Sequence, residues 1–376
     1  MKEVKILQCG DLHFDTPFKE LSNKLALISK EELLEVFNKI IDICEEELID
    51  IFLLSGDIFD NLTVNKKTLS FIKNQLQRIP MVRVFISPGN HDPYHEKSFY
   101  KMIDWPENVH IFKGEIEKVF IEELQTVVWG AGFNFQHVKK SLLKGIEAVE
   151  NYINIAVIHG DISNVEGGNE YNPITLKEIG ESNVDYIALG HRHGYSGILR
   201  ERNTCYAYSG CPQGRGFDEL GDKGIIIGKV SKGAVDLKFS KTSKRNYYVE
   251  KINVTDSVGY EEIKFRILDS IDKEKREKNL YKINLIGELD GAFNLKEEIV
   301  LDKIKEDFYF VKIVDNTEVK LDYTEISRDF SVRGIFVKKL LEQLEDAEES
   351  DKEIIKMAIK LGMQCLSEEE VKIDDY

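Results

Sequence analysis

The sequence has few cysteines and lacks any long apolar run. Its five cysteines do not form a CxxC pair, so neither a zinc knuckle nor a disulfide framework is indicated. No stretch reaches the roughly 18 uncharged apolar residues that a membrane-spanning helix needs. At the start of the chain, Asp11 and Asp15 occur before a signal-peptide pattern could develop. These absences predict reduced thiols and a cytoplasmic protein without a membrane contact.

Positive charge is also scarce, because 51 Lys and Arg residues face 67 Asp and Glu residues, which gives a formal net charge of −16 at pH 7. Proteins that grip nucleic acid with a generally basic surface neutralise phosphates with Lys and Arg. This charge argues against that mode of binding. Any contact with DNA must therefore be local, assisted by metal, or shared with a partner.

The length of 376 residues exceeds the size at which a single hydrophobic core stops growing. We therefore expect one large domain with one or two smaller ones. Apolar residues make up 42% of the chain and charged residues 31%, which is typical of a globular protein and argues against wholesale disorder.

Five short apolar runs in the first half of the chain predict strands that are buried on both faces. Between the first two runs, apolar residues recur at helical spacing after Ser29, a suitable N-cap, which predicts a helix. After the second run, the segment Lys66–Gln77 predicts another helix. This alternation predicts an α/β fold, in which sites form outside the carboxyl ends of the strands. The runs are VKILQ, DIFLLS, VRVFIS, INIAVI and DYIALG.

Each run is followed by a sharp break and a polar cluster, and each cluster contains a Gly where the backbone must turn beside a ligand. A single Asp-x-His pair is usually a coincidence. Five such clusters in order, holding five of the eight histidines, argue strongly against chance. The clusters are GDLH, GDIFD, GNHD, HGD and GHRH.

The mixture of imidazole, carboxylate and amide oxygen favours a first-row ion such as manganese, iron or zinc over calcium or magnesium. Seven candidate ligands are too many for one catalytic ion, which also needs open positions for water and substrate. Two divalent ions, with Mn²⁺ the best candidate and Fe²⁺, Zn²⁺ or Mg²⁺ as alternatives, fit this number and favour phosphoester hydrolysis. The candidate ligands are Asp11, His13, Asp57, Asn90, His159, His191 and His193.

A hydroxide activated by both ions would attack phosphorus in line, and His91 is a candidate to steady the phosphoryl oxygen or protonate the leaving group. Asp60 is a candidate for orienting His91, with a turn-capping carboxylate as the alternative. The turn interpretation is favoured for Asp15. Asp92 and Asp161 are expected to support the site through hydrogen bonds rather than to bind metal.

The five clusters together resemble those of the calcineurin-type metallophosphoesterases. Further segments resemble the SbcD-like DNA repair nucleases of that superfamily, and especially the YhaO-type bacterial exonucleases. The similarity covers residues 1–245 clearly and the rest loosely. The segments are DLHFDTPF, NEYNPITLKEI and YSGCPQGRGFDELGDKG.

This resemblance implies a four-layer αββα sandwich in which two sheets face each other, so that a purely parallel sheet would be only part of the fold. It also implies that Asp57 bridges the two ions and that His91 is the catalytic histidine. Gly10 departs from the Ser or Ala of many relatives and is expected to change little. Asp60 departs from the His of some relatives, which leaves its orienting role open. The implied ligand sets are Asp11, His13, Asp57 and His193 for one ion, and Asp57, Asn90, His159 and His191 for the other.

Beyond His193, apolar and polar residues alternate with Gly at the turns, which predicts hairpins that complete the second sheet. Basic residues in this region are the best candidates for contacts with DNA phosphates, and ordinary solvated charge is the alternative. These residues are Arg200, Arg202, Arg215, Lys223, Lys241, Lys244 and Arg245.

Charge increases beyond Arg245, and the chain divides into a nuclease domain at 1–245, a small α/β capping domain at 246–318 and a C-terminal helical segment at 319–376. The last segment predicts two amphipathic helices separated by the acidic stretch LEQLEDAEESDKE. These helices either pack on the protein itself or dock an SbcC-like ATPase with a coiled coil, as the resemblance implies. The family is also often a homodimer.

Three classes of function follow. The first is a DNA exonuclease, with endonuclease activity also open, that acts in DNA repair. The second is a phosphodiesterase or phosphatase for small nucleotides or phosphoproteins that uses the same metals. The third is a scaffold without catalysis, which the complete set of seven ligands disfavours.

Overall fold

The computed structural model describes residues 2–61, 64–96, 98–165, 167–290, 293, 295–320 and 322–366. The chain forms two compact units, the first made of Met1–Val249 with Lys278–Tyr281, and the second of Glu250–Glu277 with Lys282–Tyr376. The predicted capping and C-terminal segments thus fall largely within one unit.

The first unit begins with alternating strands and helices and continues mostly with strands. Its elements are β1 (Glu3–Cys9), α1 (Asn23–Glu46), β2 (Ile51–Leu54), α2 (Lys66–Gln77), β3 (Arg83–Ile86), β4 (Val109–Ile111), β5 (Glu117–Ile121), β6 (Thr126–Ala131), β7 (Ile153–His159), α3 (Leu176–Ser182), β8 (Tyr186–Gly190), β9 (Leu199–Glu201), β10 (Thr204–Tyr208), β11 (Gly224–Ser231) and β12 (Ala234–Lys241).

These strands form two six-stranded sheets, in the orders β12-β11-β1-β2-β3-β4 and β5-β6-β7-β8-β10-β9. Neighbours from β1 to β4 are parallel, as are β6, β7, β8 and β10, whereas β5, β9, β11 and β12 pair with their neighbours in antiparallel orientation. The parallel part therefore includes all five predicted strands. The hairpin β11–β12 lies beside β1 in the first sheet, so the prediction that it completes the second sheet was wrong.

Three apolar layers hold the four structural layers together. One cluster fills the space between the sheets, with Ile6 and Leu53 from the first and Ile155 and Ala188 from the second. A second cluster packs α1 and α2 on the outer face of the first sheet. A third packs α3 on the outer face of the second sheet. The fold is thus the expected αββα sandwich.

Helix α1 begins earlier than predicted. Its N-cap is Ser22, whose side chain accepts a hydrogen bond from the Leu25 amide, and Ser29 lies inside the helix. The residues between them are good helix formers, so the helix extends upstream of the position where the apolar periodicity is strongest. Helix α2 has the predicted bounds.

The remaining chain contains a small α/β part and a helical hairpin. A three-stranded sheet has the order β13-β14-β15, and helices α8 and α9 pack around Val337, Ile359 and Met363. Most of the acidic stretch lies within these two helices rather than between them, because only Ala347 and Glu348 separate them. The elements are β13 (Tyr247–Asn253), α4 (Tyr260–Ser270), α5 (Lys273–Lys278), β14 (Leu280–Asp290), α6 (Glu297–Ile304), β15 (Phe310–Lys320), α7 (Tyr323–Ile326), α8 (Val332–Asp346) and α9 (Glu349–Leu366).

Among the described residues, no helix combines the length and the apolar character needed to cross a lipid bilayer.

A buried polar contact ties the two sheets together. The Gln8 amide of β1 donates to the carbonyl oxygens of Leu189 and Ala207 at 3.0 Å each, and its oxygen accepts a hydrogen bond from the Tyr186 hydroxyl. All of these groups belong to the interface between facing sheets, where an unpaired polar group costs free energy.

We expect Gln8→Leu to lower the free energy of unfolding by about 1–3 kcal/mol, because it removes two hydrogen bonds to carbonyl oxygens and the Gln8 partner of the buried Tyr186 hydroxyl. Urea unfolding measures this change. Gln77→Leu, at an exposed position of α2, is the matched control. Equal stability of the two variants would contradict a stabilising role for the contact.

Candidate metal centre

All seven predicted ligands lie at the carboxyl ends of neighbouring strands. Asp11 and His13 follow β1, Asp57 follows β2 and Asn90 follows β3, all in the first sheet. His159 is the last residue of β7, and His191 and His193 follow β8, in the second sheet. The site therefore forms only where the ends of the two sheets meet.

The first group of ligand atoms belongs to Asp11, His13 and His193, which all lie within 4.8 Å of one another. His193 Nε2 is 4.0 Å from Asp11 Oδ1. The side chain of His13 is only 1% exposed, whereas that of His193 is 33% exposed. This group is therefore enclosed on the side of His13 and open on the side of His193.

The second group belongs to Asp57, His159 and His191, again within 4.8 Å. Asn90 completes it, because its Oδ1 lies 3.0 Å from His159 Nε2 and 3.2 Å from His191 Nδ1. The arrangement corresponds to the ligand set that the sequence predicts for the second ion.

Asp57 lies between the two groups. Its Oδ1 accepts a hydrogen bond from the His91 amide at 2.9 Å. Its Oδ2 is 3.7 Å from His13 Nε2 and 3.4 Å from His159 Nε2. One oxygen is thus fixed by the backbone, and the other faces a ligand of each group, which is the geometry that a bridging carboxylate needs.

The donor atoms fit a cation. His159 Nδ1 lies 2.9 Å from the Ser55 carbonyl oxygen, which can only accept, so Nδ1 carries the hydrogen. Burial lowers the pKa of His159 and holds the ring neutral. Its Nε2 lone pair therefore faces the oxygens of Asp57 and Asn90, and a positive ion between them removes the repulsion.

The surroundings of His13 also indicate a site for a cation. Neither of its buried ring nitrogens has a hydrogen-bond partner within the described part of the chain, although Asp60 Oδ1 is 3.2 Å from Nδ1. Burial, followed by the Arg215 charge, lowers the pKa of His13. Burial and the nearby Asp92 and Asp11 carboxylates raise the pKa of Asp57. A bound cation would accept a lone pair of the neutral His13 ring and would stabilise the charged form of Asp57.

Four ligand residues have positive φ angles: Asp11 (53°), His13 (45°), Asp57 (49°) and His191 (109°). Such conformations cost energy for residues other than Gly and persist where surrounding structure fixes them. Here the loops after β1 and β2 are joined by backbone hydrogen bonds of 2.9 Å from Asp11 N to the Gly56 oxygen and from His13 N to the Asp57 oxygen. Backbone strain is therefore concentrated at the ligands.

His91 lies next to Asn90 and beside the first group, with its ring centroid 4.7 Å from that of His13. Its Nδ1 is 2.7 Å from the backbone oxygen of Asp60. Asp60 therefore contacts His91 through its backbone carbonyl oxygen and not through its carboxylate. The Asp60 carboxylate instead lies 3.2 Å from His13 Nδ1 and 3.5 Å from Arg215 Nη1.

Asp92 and Asp161 form hydrogen bonds around the site, as expected. The buried Asp92 carboxylate accepts from the amides of Ile58 and Gly89 at 2.7 Å each and from the Tyr100 hydroxyl at 2.8 Å, which joins the loops after β2 and β3. Asp161 Oδ1 accepts from Arg192 Nε at 2.7 Å.

Sequence reasoning missed Glu219, a buried carboxylate whose Oε1 lies 2.8 Å from His193 Nδ1. Burial opposes the charged form of this His193–Glu219 pair, but the hydrogen bond raises the pKa of His193 and lowers that of Glu219. Arg215 also pairs with Glu219 and lies 3.2 Å from His193 Nδ1. The available signal was an Arg and a Glu four residues apart among glycines, in a segment interpreted as surface.

Most of the predicted DNA-contact residues are engaged elsewhere. Arg215 is largely buried beside Glu219, so its assignment to a DNA-binding surface was wrong. Lys223 is buried and donates to the His193 carbonyl oxygen at 2.9 Å. Of the seven predicted contacts, only Arg200 and Arg202, on the β9–β10 hairpin, are exposed without an ion pair to another described residue. The remaining ion pairs are Lys241 with Asp222, Lys244 with Glu35, and Arg245 with Glu32.

Carboxylates, imidazoles and an amide gathered into two groups about one shared carboxylate define a metal-dependent phosphoester hydrolase. The family model described as "Calcineurin-like phosphoesterase" matches residues 4–195, and the chain belongs to this family. It is 28% identical over 296 residues to "Uncharacterized metallophosphoesterase YhaO" of Bacillus subtilis (strain 168), covering 76% of this chain and 72% of that protein. It also resembles TT1561 of Thermus thermophilus, with a TM-score of 0.41 and 12% identity over 64% of this chain and 99% of that one.

We expect Glu219→Gln to weaken metal binding about 10- to 100-fold, because the hydrogen bond that orients His193 loses its charge. Titration of the metal-free protein with Mn²⁺ in a calorimeter measures this affinity. Asp218→Asn, which removes one charge from the adjacent exposed position, is the matched control. Equal affinities of the two variants would show that Glu219 does not support the site.

Proposed function

We propose that this protein is a metal-dependent DNA phosphodiesterase of DNA repair, acting as an exonuclease and also open to endonuclease activity. Phosphodiester hydrolysis is supported by one observation: seven candidate ligands lie in two groups about Asp57, and His91 lies beside them. His191 and His193 are partly exposed, so the site is open to a substrate on that side.

Two divalent ions held by these groups would activate water and offset the charge that develops on the phosphoryl oxygens. The chain itself fixes the ligands and holds a proton at His91. Since His91 Nδ1 donates to the Asp60 carbonyl oxygen, Nε2 is the nitrogen left for a substrate. It can donate to a phosphoryl or leaving oxygen once it is protonated, which suits a general acid.

The DNA substrate is supported by the segments that resemble SbcD-like nucleases. The similarity to YhaO, over most of both chains, supports a metallophosphoesterase and names no substrate. Among the ions, Mn²⁺ is proposed because the ligands mix imidazole nitrogen with carboxylate and amide oxygen. Fe²⁺ and Zn²⁺ share this preference, and Mg²⁺ is less suited to the nitrogen ligands.

A phosphodiesterase or phosphatase for small nucleotides or phosphoproteins is the second candidate. One observation favours it: three of the predicted basic contacts, Lys241, Lys244 and Arg245, pair with acidic side chains on a chain of net charge −16. A small substrate needs no extended basic surface, whereas most DNA-binding proteins use one.

We expect Asp57→Ala to abolish Mn²⁺-dependent release of nucleotides from end-labelled DNA, because it removes the carboxylate shared by both groups. We expect His91→Ala to lower the rate about 10²- to 10⁴-fold, as for the loss of a general acid. Duplex and single-stranded substrates are compared in Mn²⁺, Mg²⁺ and chelator. His110→Ala, a partly exposed histidine on β4, is the matched control.

The outcomes separate the two candidates. Cleavage of DNA that is lost in both variants and retained in His110→Ala supports the nuclease. Hydrolysis of bis(p-nitrophenyl) phosphate without any cleavage of DNA would support the second candidate. Hydrolysis of neither substrate with any of the metals would contradict both candidates and favour a scaffold.

We further propose that the C-terminal helices dock an SbcC-like coiled-coil ATPase and that the protein forms a homodimer through its nuclease domain. The hairpin of α8 and α9 leaves apolar side chains outside its core, including Phe330, Val332 and Ile335, of which Phe330 is fully exposed. Apolar residues grouped in this way are typical of binding surfaces.

We expect Ile335→Asp to prevent co-purification with a co-expressed SbcC-like ATPase, because a charge would be buried at the contact. Val258→Asp, at a residue that is 89% exposed outside these helices, is the control. Unchanged co-purification of Ile335→Asp would contradict docking at α8. Light scattering of the protein alone measures the mass, and a monomer would contradict the homodimer.

A further inference from the structure

A cavity of about 820 Å³ lies between two loops of the first unit, residues 93–96 and residues 134–137. The first loop continues directly from the GNHD cluster and the second follows β6. We call this cavity the aromatic groove, because Tyr94, His95, Phe135 and His137 contribute four rings to its lining.

The first loop of the groove is joined to the candidate metal centre. Pro93 and Tyr94 follow closely after His91, and the Tyr94 amide donates to the Phe133 carbonyl oxygen at 2.6 Å. The Phe133 ring in turn meets the ring of His159 edge to face, at a centroid distance of 5.5 Å. The groove is therefore linked to the predicted ligand His159 through Phe133.

The second loop is joined to the centre by ring contacts. The His137 and Tyr171 rings have centroids 5.8 Å apart, and the Tyr171 ring stacks on His191 at 5.1 Å with an interplanar angle of 30°. The Tyr171 ring thus lies between the groove and His191 of the second group of metal ligands.

The groove is preorganised by buried structure. The Tyr94 ring is nearly parallel to the buried Tyr100 ring, at 6.4 Å and 20°, and the Tyr100 hydroxyl donates to Asp92. Asp92 is the carboxylate that also joins the ligand loops. The orientation of the Tyr94 ring is therefore fixed by the same contacts that shape the metal centre.

The chemistry of the groove matches a nucleotide. Phe135 is 69% exposed, which is unusual for a large apolar ring and leaves its face available for stacking. The ammonium groups of Lys101 and Lys113 each lie 5.5 Å from the centroid of the Tyr94 ring, and Lys101 also pairs with Glu96 at 2.6 Å. Aromatic faces bind bases, and nearby cations bind the phosphates that connect them.

We propose that the aromatic groove binds an unpaired nucleobase next to the phosphodiester that is cleaved, a proposal that rests on the DNA phosphodiesterase function above. Because both faces of a base inside a duplex are covered by its neighbours, the groove selects a base that has left the stack. The substrate class is therefore a single strand or a frayed end.

The test compares two enzymes on two kinds of substrate by measuring kcat/KM in Mn²⁺ for each combination. Wild type and Phe135→Ala are compared on single-stranded oligonucleotides that are intact or carry one abasic residue on either side of the terminal phosphodiester. We expect Phe135→Ala to lower kcat/KM about 5- to 100-fold on the intact strand, the loss of one stacked base. On the strand whose abasic residue removes the bound base, we expect wild type and Phe135→Ala to have the same kcat/KM.

Phe135→Trp keeps an aromatic face and should retain activity. Phe120→Ala, at an exposed phenylalanine of β5 outside the groove, is the matched control and should behave as wild type. The amount of bound Mn²⁺ reports whether the metal centre of each variant is intact.

Two results would overturn the proposal in distinguishable ways. Equal losses for Phe135→Ala on intact and both abasic strands, or no loss on any of them, would refute the groove while wild-type cleavage upheld the nuclease. Absence of wild-type cleavage on every strand would refute the DNA phosphodiesterase function, and the base-binding role with it.

Discussion

The candidate site depends on one close approach between the two sheets. A Cβ atom at Gly190 would lie 1.9 Å from the Ser55 carbonyl oxygen. Only a residue without a side chain at position 190 allows the carboxyl ends of β2 and β8 to come so near. Because the ligands follow these strands, the contact places the histidines of the second sheet against the carboxylates of the first.

The same closeness makes the site costly to assemble. Buried Asp57 faces the neutral His159 ring, and three ligand residues of the first sheet hold positive φ angles. A cation that binds the folded arrangement and not the unfolded chain contributes its binding free energy to stability. The loops around Asp57 are tightly packed, because a Cβ atom at Gly89 would lie 2.2 Å from Asp57 Oδ1. The free energy of metal binding thus offsets the cost of burying Asp57 and of straining the backbone at the ligands.

Much of this site could be predicted from sequence because its signals are local. A buried strand, a turn glycine and a metal-binding side chain lie within a few residues of one another in each cluster, and parallel strands bring their ends together. Contacts between distant segments could not be predicted. Glu219 reaches His193 across a loop, Asp60 acts on His91 through its carbonyl oxygen, and β11 pairs with β1. No short pattern encodes these pairings, because each depends on which surfaces meet after folding.

The acidic charge of the chain then constrains how the proposed substrate is held. Three of the predicted basic contacts pair with acidic residues and Arg215 is largely buried beside Glu219, so few of the seven predicted contacts remain to neutralise an extended run of phosphates. Coordination of one phosphate at the metal centre and stacking of one base in the aromatic groove need no such surface. Both interactions act over a single nucleotide, and the stacking of its base favours a strand end over a continuous duplex. Ring contacts from His137 through Tyr171 to His191 join the two sites, so the base and the phosphate of one nucleotide could be bound together.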